Sequence, residues 1–510
     1  MNLGMILDMA ADGMPDRVVV GERDGGLTAA ALRQAARAGA AHLLAAGADR
    51  LVFLGPNGAA FPVALFSAAL AGVPFLPLNY RLGDEQLSEV LSRQEGTALI
   101  VTDTPERVVP AAATAAGEAG APAATLTLAQ LLALPPAPDD DGLPPFVDPE
   151  SVAVLLMTSG TTAAPKSAVL RHRHLASYII GSVEFASVPD TDATLVSVPP
   201  YHIAAVANIL SNLYCGRRVV YLDAFTPQGW LEAVEKQQVT HAMVVPTMLV
   251  RIVATLRETD SLGPASLRSV SYGGAKISAA VVEEALRRFP TAGFVNAYGL
   301  TETASSIAVL GPDDHREAAA SDDPQVRARL GSVGRPLPMV QIEVQDDDGQ
   351  CCAPGAVGDI VVRGDQVAGE YLETGSGVRQ NGWFPTRDRG YLDEAGYLFV
   401  RGRADDTIIR GGENIAPAEI EDVLVRHPAV QECVVAGIPD VEWGQRIGAF
   451  VVVQPGMTAE APALRAWVRE RLRGSRTPDE IVFVESLPTT ATGKILRREL
   501  VREALNSIDL

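Results

Sequence analysis

Short apolar runs alternate with Ala- and Leu-rich stretches of helical character along most of this chain, and that alternation limits the possible fold more than any other feature. From about residue 28 to 103 the runs LVFLG (51–55) and ALIVTD (98–103) punctuate such stretches, the rhythm of βαβ units and a mostly parallel sheet. After VAVLLMTSG (152–160) the rhythm resumes through VVYLD (219–223), HAMVVP (241–246) and SVSYGG (269–274), which implies a second α/β unit. Between roughly 332 and 400 the pattern changes to short strands such as QIEVQDDDG, GDIVVRGD and GYLFVRG with Gly/Asp turns, a small β-rich subdomain. Beyond Arg403 the helix and strand alternation returns. The expected fold class is α/β: a large N-terminal domain over 1–402, made of two α/β subdomains and the β-rich one, then a smaller C-terminal α/β domain over 403–510. The segment 134–150, LPPAPDDDGLPPFVDPE, combines prolines with an acidic run and is expected to be an exposed connection.

With 510 residues, 47% of them hydrophobic, the chain is too long for one ordinary domain. Its net charge of -20 opposes binding of a phosphate backbone over most of the surface, so nucleic acid is not an expected partner, although a nucleotide at a local basic site is compatible with it. The opening MNLGMILDMAADGMPDR has no basic region before a long apolar run, and no stretch has the roughly 18 apolar residues of a membrane span; a cytoplasmic location is the expectation. Cys215, Cys351, Cys352 and Cys433 lack paired zinc spacing and read as free thiols.

Chemistry concentrates in a few segments. Thr158-Ser159-Gly160-Thr161-Thr162-Ala163-Ala164-Pro165-Lys166-Ser167 is a strand end followed by hydroxyls and a lysine, groups able to wrap phosphate oxygens; it is not a Walker loop, and alone it is equally a Ser/Thr-rich turn. Asn296-Ala297-Tyr298-Gly299-Leu300-Thr301-Glu302 supplies an aromatic face for a base, a hydroxyl, and a carboxylate of the hard oxygen type that magnesium requires. Thr386-Arg387-Asp388 offers a carboxylate suited to a ribose diol. The stretch from Gly402 to Ile415 opens the last domain, and Pro488-Thr489-Thr490-Ala491-Thr492-Gly493-Lys494 comes near the end.

In this order and at these intervals the segments resemble the core motifs of the adenylate-forming superfamily, of the acyl-CoA synthetase and aryl-CoA ligase type, and the resemblance covers residues 50 to 500. It implies that Thr158, Ser159, Thr161, Thr162 and Lys166 meet the β- and γ-phosphates of ATP. Gly273, Gly274, Ala275, Asn296 and Tyr298 would line the adenine site, Thr301 and Glu302 would handle the α-phosphate and Mg2+, and Asp388 and Arg403 would hold the ribose. Lys494 would reach the α-phosphate and the attacking carboxylate oxygen. Asp405 takes the hinge position of a mobile C-terminal domain, with its neighbour Asp406 as the other candidate. Two departures stand out: the phosphate loop has Ala163 and Ser167 where the family usually has glycine, and Arg387 replaces the glycine of Thr-Gly-Asp, adding a phosphate contact or pointing into solvent.

Pro199-Pro200-Tyr201-His202 resembles the family's substrate gate, with His202 beside the acid. The following Ile203-Ala204-Ala205-Val206-Ala207-Asn208-Ile209 contains no carboxylate to pair with an α-ammonium group, so an amino acid is not the expected substrate. Small residues there and at Ala304, Ser305 and Ser306 favour a bulky apolar acid, although helix packing also accounts for alanines. Gly411-Gly412 resembles the glycine pair of a pantetheine tunnel, and Gly437-Ile438-Pro439-Asp440 with Trp443-Gly444 resembles users of coenzyme A. Arg473 and Arg476 are candidates for its phosphates or plain exposed charges.

The resulting expectation is an acid–thiol ligase, AMP-forming, that uses ATP, Mg2+ and coenzyme A on a bulky apolar carboxylic acid. Two alternatives stay open: an adenylating enzyme that passes its product to a separate carrier protein or partner enzyme, and a catalytically degenerate ligand-binding relative, against which Lys494 and Glu302 argue. Oligomeric state is open, a homodimer included.

Overall fold

The structure of the protein is a computed structural model that describes residues 1–92, 96–107, 124–137, 142–158, 166–410, 413–440, 443–472, 474–490 and 495–506, with the side chains of Asp405, Asn414 and Asn506 outside the description. The chain divides into two compact units, Met1–Gln341 with Val362–Phe384, and Ile342–Val361 with Pro385–Leu510.

The first unit carries two large sheets. In the eight-stranded sheet Phe75–Pro77, Arg50–Leu54, Ala98–Thr102 and Ala124–Leu126 run parallel, Val152–Thr158 joins them in parallel through Phe75, and Lys166–Arg171 turns back antiparallel to it. In the nine-stranded sheet Arg218–Tyr221, Ala193–Val196, His241–Val244, Ser269–Gly273 and Gly293–Leu300 are parallel neighbours, and Ser305–Leu310 pairs antiparallel with the last of these. These are the two α/β units expected from the alternation of apolar runs. Helix Ala60–Ala71 is apolar on every side because it is enclosed on every side: Phe61, Leu65 and Phe66 share one core with Phe53, Phe75 and Val154 of the first sheet and Leu195, Val219 and Val270 of the second. Burying a Phe or Leu side chain contributes about 1.5–3 kcal/mol, so this shared core is the main reason the two sheets form one unit.

In the second unit Gln341–Gln345, Gly358–Arg363, Phe384–Leu392 and Leu398–Arg403 form a four-stranded sheet. After it come a two-stranded ribbon, Ile408–Arg410 with Glu413–Ile415, and a three-stranded sheet of Val430–Asp440, Gly444–Val453 and Glu480–Phe483. Helices Pro417–Leu424 and Ala461–Arg471 cover one face with Ile420, Leu424, Leu464 and Val468, and Arg497–Asn506 contributes Leu500 and Ala504 to the other.

Two features differ from the sequence reading. The compact units, grouped by contacts, place the four-stranded sheet with the C-terminal residues; Arg401, for example, lies 3.7 Å from Asp422. The stretch 332–400 is also not one β-rich subdomain, since Val362–Phe384 belongs to the first unit, where Glu370–Tyr371 and Gly375–Ser376 extend the eight-stranded sheet. The reason is an unpaired edge: Lys166–Arg171 offers its outer backbone, Tyr371 pairs with Ala168, and Glu370 locks the addition through a bidentate contact to Arg171 at 2.8 Å. As expected, 142–150 is coil and mostly exposed.

Candidate active site

The phosphate-loop residues Ser159, Gly160, Thr161, Thr162, Ala163, Ala164 and Pro165 lie outside the described residues, as do Gly411, Gly412, Arg473 and Lys494. The strands flanking the loop are described. Thr158 ends one, its hydroxyl donating to the Lys166 carbonyl at 3.2 Å, and Lys166 begins the other, so both candidates stand at the same end of the sheet. Ser167 is a buried strand residue whose N–H donates to the Glu373 carboxylate at 2.9 Å, which assigns it a place in the sheet.

Asn296, Tyr298, Thr301 and Glu302 follow one another from the strand Gly293–Leu300 into the single turn Thr301–Thr303. The backbone here permits little variation. Ala304 and Ser305 take φ of 53° and 124°, conformations that residues other than glycine seldom adopt, and the Thr303 hydroxyl holds them by accepting from the Leu300 N–H and donating to the Ser305 carbonyl at 2.7 Å. A side chain at Gly299 would fall on the Ser305 carbonyl, and one at Gly273 on that of Ala297, so both strands need glycine for the close approach. Gly273, Gly274 and Ala275 leave the adjacent strand, fixed beneath by the buried Tyr272, whose hydroxyl bonds His315 Nε2 at 2.9 Å. Asn296 donates its amide to the Ser332 carbonyl at 3.0 Å.

Glu302 is held at both its side chain and its backbone. The Tyr371 hydroxyl donates to its Oε1 at 2.6 Å, and its own carbonyl accepts from the N–H groups of Ala368 and Gly369. Lys166 Nζ lies 5.2 Å from the centre of the Tyr371 ring, within cation–π range. The structure therefore brings Lys166 and Glu302 together on one tyrosine, which the sequence reading did not single out. Among the described residues no three His, Cys, Asp or Glu side chains gather as a metal cage. A half-buried carboxylate with one oxygen engaged fits Mg2+, which takes one or two protein carboxylates and completes its octahedron with phosphate oxygens and water.

His202 caps the helix Ile203–Cys215, its Nδ1 accepting from the Ala204 N–H at 3.4 Å. Burial holds its pKa below the usual value, and an accepting Nδ1 puts the hydrogen of the neutral ring on Nε2. Beside it the Tyr201 hydroxyl is buried with no hydrogen-bond partner among the described residues, and its ring meets Tyr80 edge-on at 6.0 Å. Ala204, Ala205 and Ala207 are buried in the core, so packing accounts for these small residues. The helix carries no charged side chain.

In the second unit Asp388 and Arg403 sit opposite each other in an antiparallel pair, Arg403 Nη1 being 3.4 Å from the Asp388 carboxylate. Asp388 is buried, and its N–H donates to the Thr386 hydroxyl. Arg387 between them has φ of 63° and an exposed side chain, so the backbone keeps the left-handed turn for which glycine is the usual residue. Asp405 lies in the turn Ala404–Asp406, and Arg497 holds Asp406 at 3.5 Å. Trp443 is exposed, with the Arg410 guanidinium 5.2 Å from its ring centre. Arg476 is neither an exposed charge nor open to a nucleotide: it is buried between Glu413 at 2.7 Å and Glu419 at 3.1 Å.

A parallel α/β body that ends in hydroxyl, lysine and carboxylate loops, followed by a smaller α/β module, is the arrangement of an adenylate-forming ligase. The chain belongs to the AMP-binding enzyme family, which matches residues 7–372, and 419–494 match the AMP-binding enzyme C-terminal domain. It is similar to the feruloyl-CoA synthase of an Amycolatopsis species, 36% identical over 459 residues that cover 89% of this chain and 88% of the relative. It is also similar to the fatty acid–[acyl-carrier-protein] ligase of Streptomyces coeruleorubidus, 33% identical over 89% of this chain and 86% of the relative. Among solved structures, the o-succinylbenzoate CoA synthetase of Bacillus subtilis in complex with its acyl-adenylate intermediate superposes with a TM-score of 0.81 at 29% identity, covering 97% of each chain. The same enzyme has been solved with ATP and magnesium ion. No helix among the described residues is long and apolar enough to cross a membrane.

Proposed function

We propose that this protein is an AMP-forming acyl-CoA synthetase acting on a bulky apolar carboxylic acid, in the cytoplasm where ATP and coenzyme A are supplied. The observation that carries the reading is the joint hold of Lys166 and Glu302 on Tyr371, a cation and a carboxylate brought from two different sheets to one ring within an AMP-binding enzyme. In the first half-reaction a carboxylate oxygen of the acid attacks the α-phosphorus of ATP, the bond to the β-phosphate oxygen breaks, and pyrophosphate leaves. Lys166 and the hydroxyls of 158–162 bind the departing phosphates, and Lys494 neutralises the α-phosphate and the attacking oxygen. Bound Mg2+ would supply further neutralisation of phosphate charge at Glu302. Asp388 and Arg403 orient the ribose, and Tyr298 the adenine. In the second half-reaction the thiol sulfur of coenzyme A, having lost its proton, attacks the acyl carbonyl and AMP leaves with the bonding pair. The domain that begins at Arg403 turns about Asp405 between the two steps and shields the anhydride from water. Neutral His202 and the uncharged helix behind it suit an acid without an ammonium group.

Transfer to the thiol of a carrier protein is the second reading, favoured by the relative named for that activity. The test incubates the protein with ATP, magnesium and a panel of aromatic, alicyclic, fatty and amino acids, with and without coenzyme A, and follows pyrophosphate, AMP and thioester separately. Thioester from an apolar acid supports the proposal. Pyrophosphate without thioester moves the acceptor to a partner, and robust adenylation of an amino acid sinks the pocket reading. Silence with every acid leaves only the ligand-binding alternative.

A further inference from the structure

Residues 366–373 interact with both halves of the phosphate site, and no motif of the sequence reading included them. Gln366 donates its amide to the carbonyls of Thr303 and Ser306, and the N–H groups of Ala368 and Gly369 converge on the Glu302 carbonyl, so the turn carrying Glu302 is tied down from one side. On the other side Leu372 N–H donates to the Ser167 carbonyl, Glu373 accepts from Ser167 N–H, and Tyr371 pairs with Ala168, which holds the strand that begins at Lys166. Among the described residues of this segment, the Tyr371 side chain reaches the functional groups of both. Its hydroxyl donates to Glu302 Oε1 at 2.6 Å, the length of a charge-assisted O–H···O⁻ bond, and its ring faces the Lys166 ammonium at 5.2 Å.

We propose that Tyr371 is a positioning residue for adenylation: it fixes the Glu302 carboxylate for the divalent cation and Lys166 for the phosphates, coupling the two through one ring. This rests on the ligase reading above. A carboxylate bound through Oε1 presents Oε2 in one direction, and a lysine held over an aromatic face loses rotamer freedom before ATP arrives rather than on binding it. The two halves of the tyrosine are separable, because Tyr371→Phe removes the hydroxyl and keeps the ring, whereas Tyr371→Leu removes both.

The decisive measurement is calorimetric binding of ATP without any acid, once with Mg2+ and once with EDTA, in parent, Y371F and Y371L. Y371F is expected to lose about 10-fold of the affinity that the metal adds, the scale of a hydrogen bond to a charged group, with ATP–EDTA binding unchanged. Y371L should lose that and about two- to fivefold more in EDTA, the scale of an exposed cation–π contact. The Mg2+ concentration for half-maximal pyrophosphate release should rise in both, while thioester formation from a supplied acyl-adenylate and coenzyme A stays within twofold of the parent. A purely structural tyrosine would impair all of these alike. The proposal is overturned if Y371F keeps the parent's full metal-dependent gain, or if it weakens ATP equally with and without metal. Absence of pyrophosphate release by the parent would refute the ligase reading instead, and the binding comparison would still judge Tyr371.

Discussion

Glu302 and Asp388 are both carboxylates assigned to ATP, yet the chain holds them in opposite ways. Glu302 depends on Tyr371, which stands 69 positions away in sequence, and on a strand annealed to the edge of a sheet built much earlier in the chain. Asp388 faces Arg403 across a hairpin of the second unit, and its N–H donates to the hydroxyl of Thr386, two residues before it. A site of the first kind exists only after long-range closure, whose entropy must be offset by the sheet and its core; one of the second kind is set by turn and register. The contrast predicts that Glu302, the carboxylate proposed for the metal, responds more to substitutions far from it in sequence than Asp388, the carboxylate proposed for the ribose.

The largest test of that contrast is Glu302→Gln. Removing the charge while keeping the shape should lower adenylation about 10²- to 10³-fold, read as pyrophosphate release, with thioester formation from a supplied acyl-adenylate largely retained. An equal loss in both half-reactions would mean that Glu302 supports the fold of the site and not its charge.

A long-range tie of the same kind is expected to contribute to acid sensitivity. His172 Nδ1 accepts from the N–H of Leu3, 169 positions away, and burial pushes its pKa down to about 4. The unfolded chain takes up a proton near pH 6.5 and the folded chain does not until near 4, so the neutral ring's contribution is present above 6.5 and is lost as pH falls through that window. His172→Asn keeps an acceptor and cannot titrate. Its drop in unfolding free energy between pH 7 and 4.5, from urea titrations, should be smaller than the parent's by about 2–3 kcal/mol. An unchanged drop would assign the acid sensitivity to other groups, such as His174, which burial pushes down to about 3.

Asp388→Ala should weaken ATP about 10- to 100-fold, the cost of losing hydrogen bonds to a charged acceptor, and by the same factor with Mg2+ or EDTA. A metal-dependent loss would erase the distinction between the two carboxylates. The smallest effect is expected for Arg387→Gly. At φ of 63° glycine relieves a left-handed backbone but gives the unfolded chain more freedom, so stability in urea should stay level or rise by up to about 1 kcal/mol. A clear destabilisation would show that the Arg387 side chain holds the hairpin.

Much of this was legible in the chain itself. Alternating apolar runs gave both α/β sheets, because a strand between two helical layers is apolar throughout and short, and the resemblance to the adenylate-forming superfamily had put Asp388 and Arg403 together at the ribose. Tyr371 was not legible. It sits among Gly/Asp turns that read as one β-rich block, and nothing local says that its strand joins the sheet of Lys166–Arg171. Arg476, open in sequence between a contact to nucleotide phosphates and an exposed charge, was not legible as a buried ion pair because its two carboxylates, Glu413 and Glu419, lie on elements that meet it only in the folded unit.

By itself, then, the sequence determined the class of fold, the order of the segments proposed to bind the nucleotide, and the residue types available for phosphate, ribose and metal, because these depend on local period, turn chemistry and side-chain functional groups. Only the tertiary structure decided that Val362–Phe384 returns to the first unit, that Tyr371 joins Lys166 to Glu302, and that Arg387 sits in a left-handed turn facing solvent. The physical reason is common to all three. Edge-strand pairing, a hydrogen bond between distant side chains and the sign of a backbone angle are each fixed by which surfaces meet, and that is a property of the closed chain.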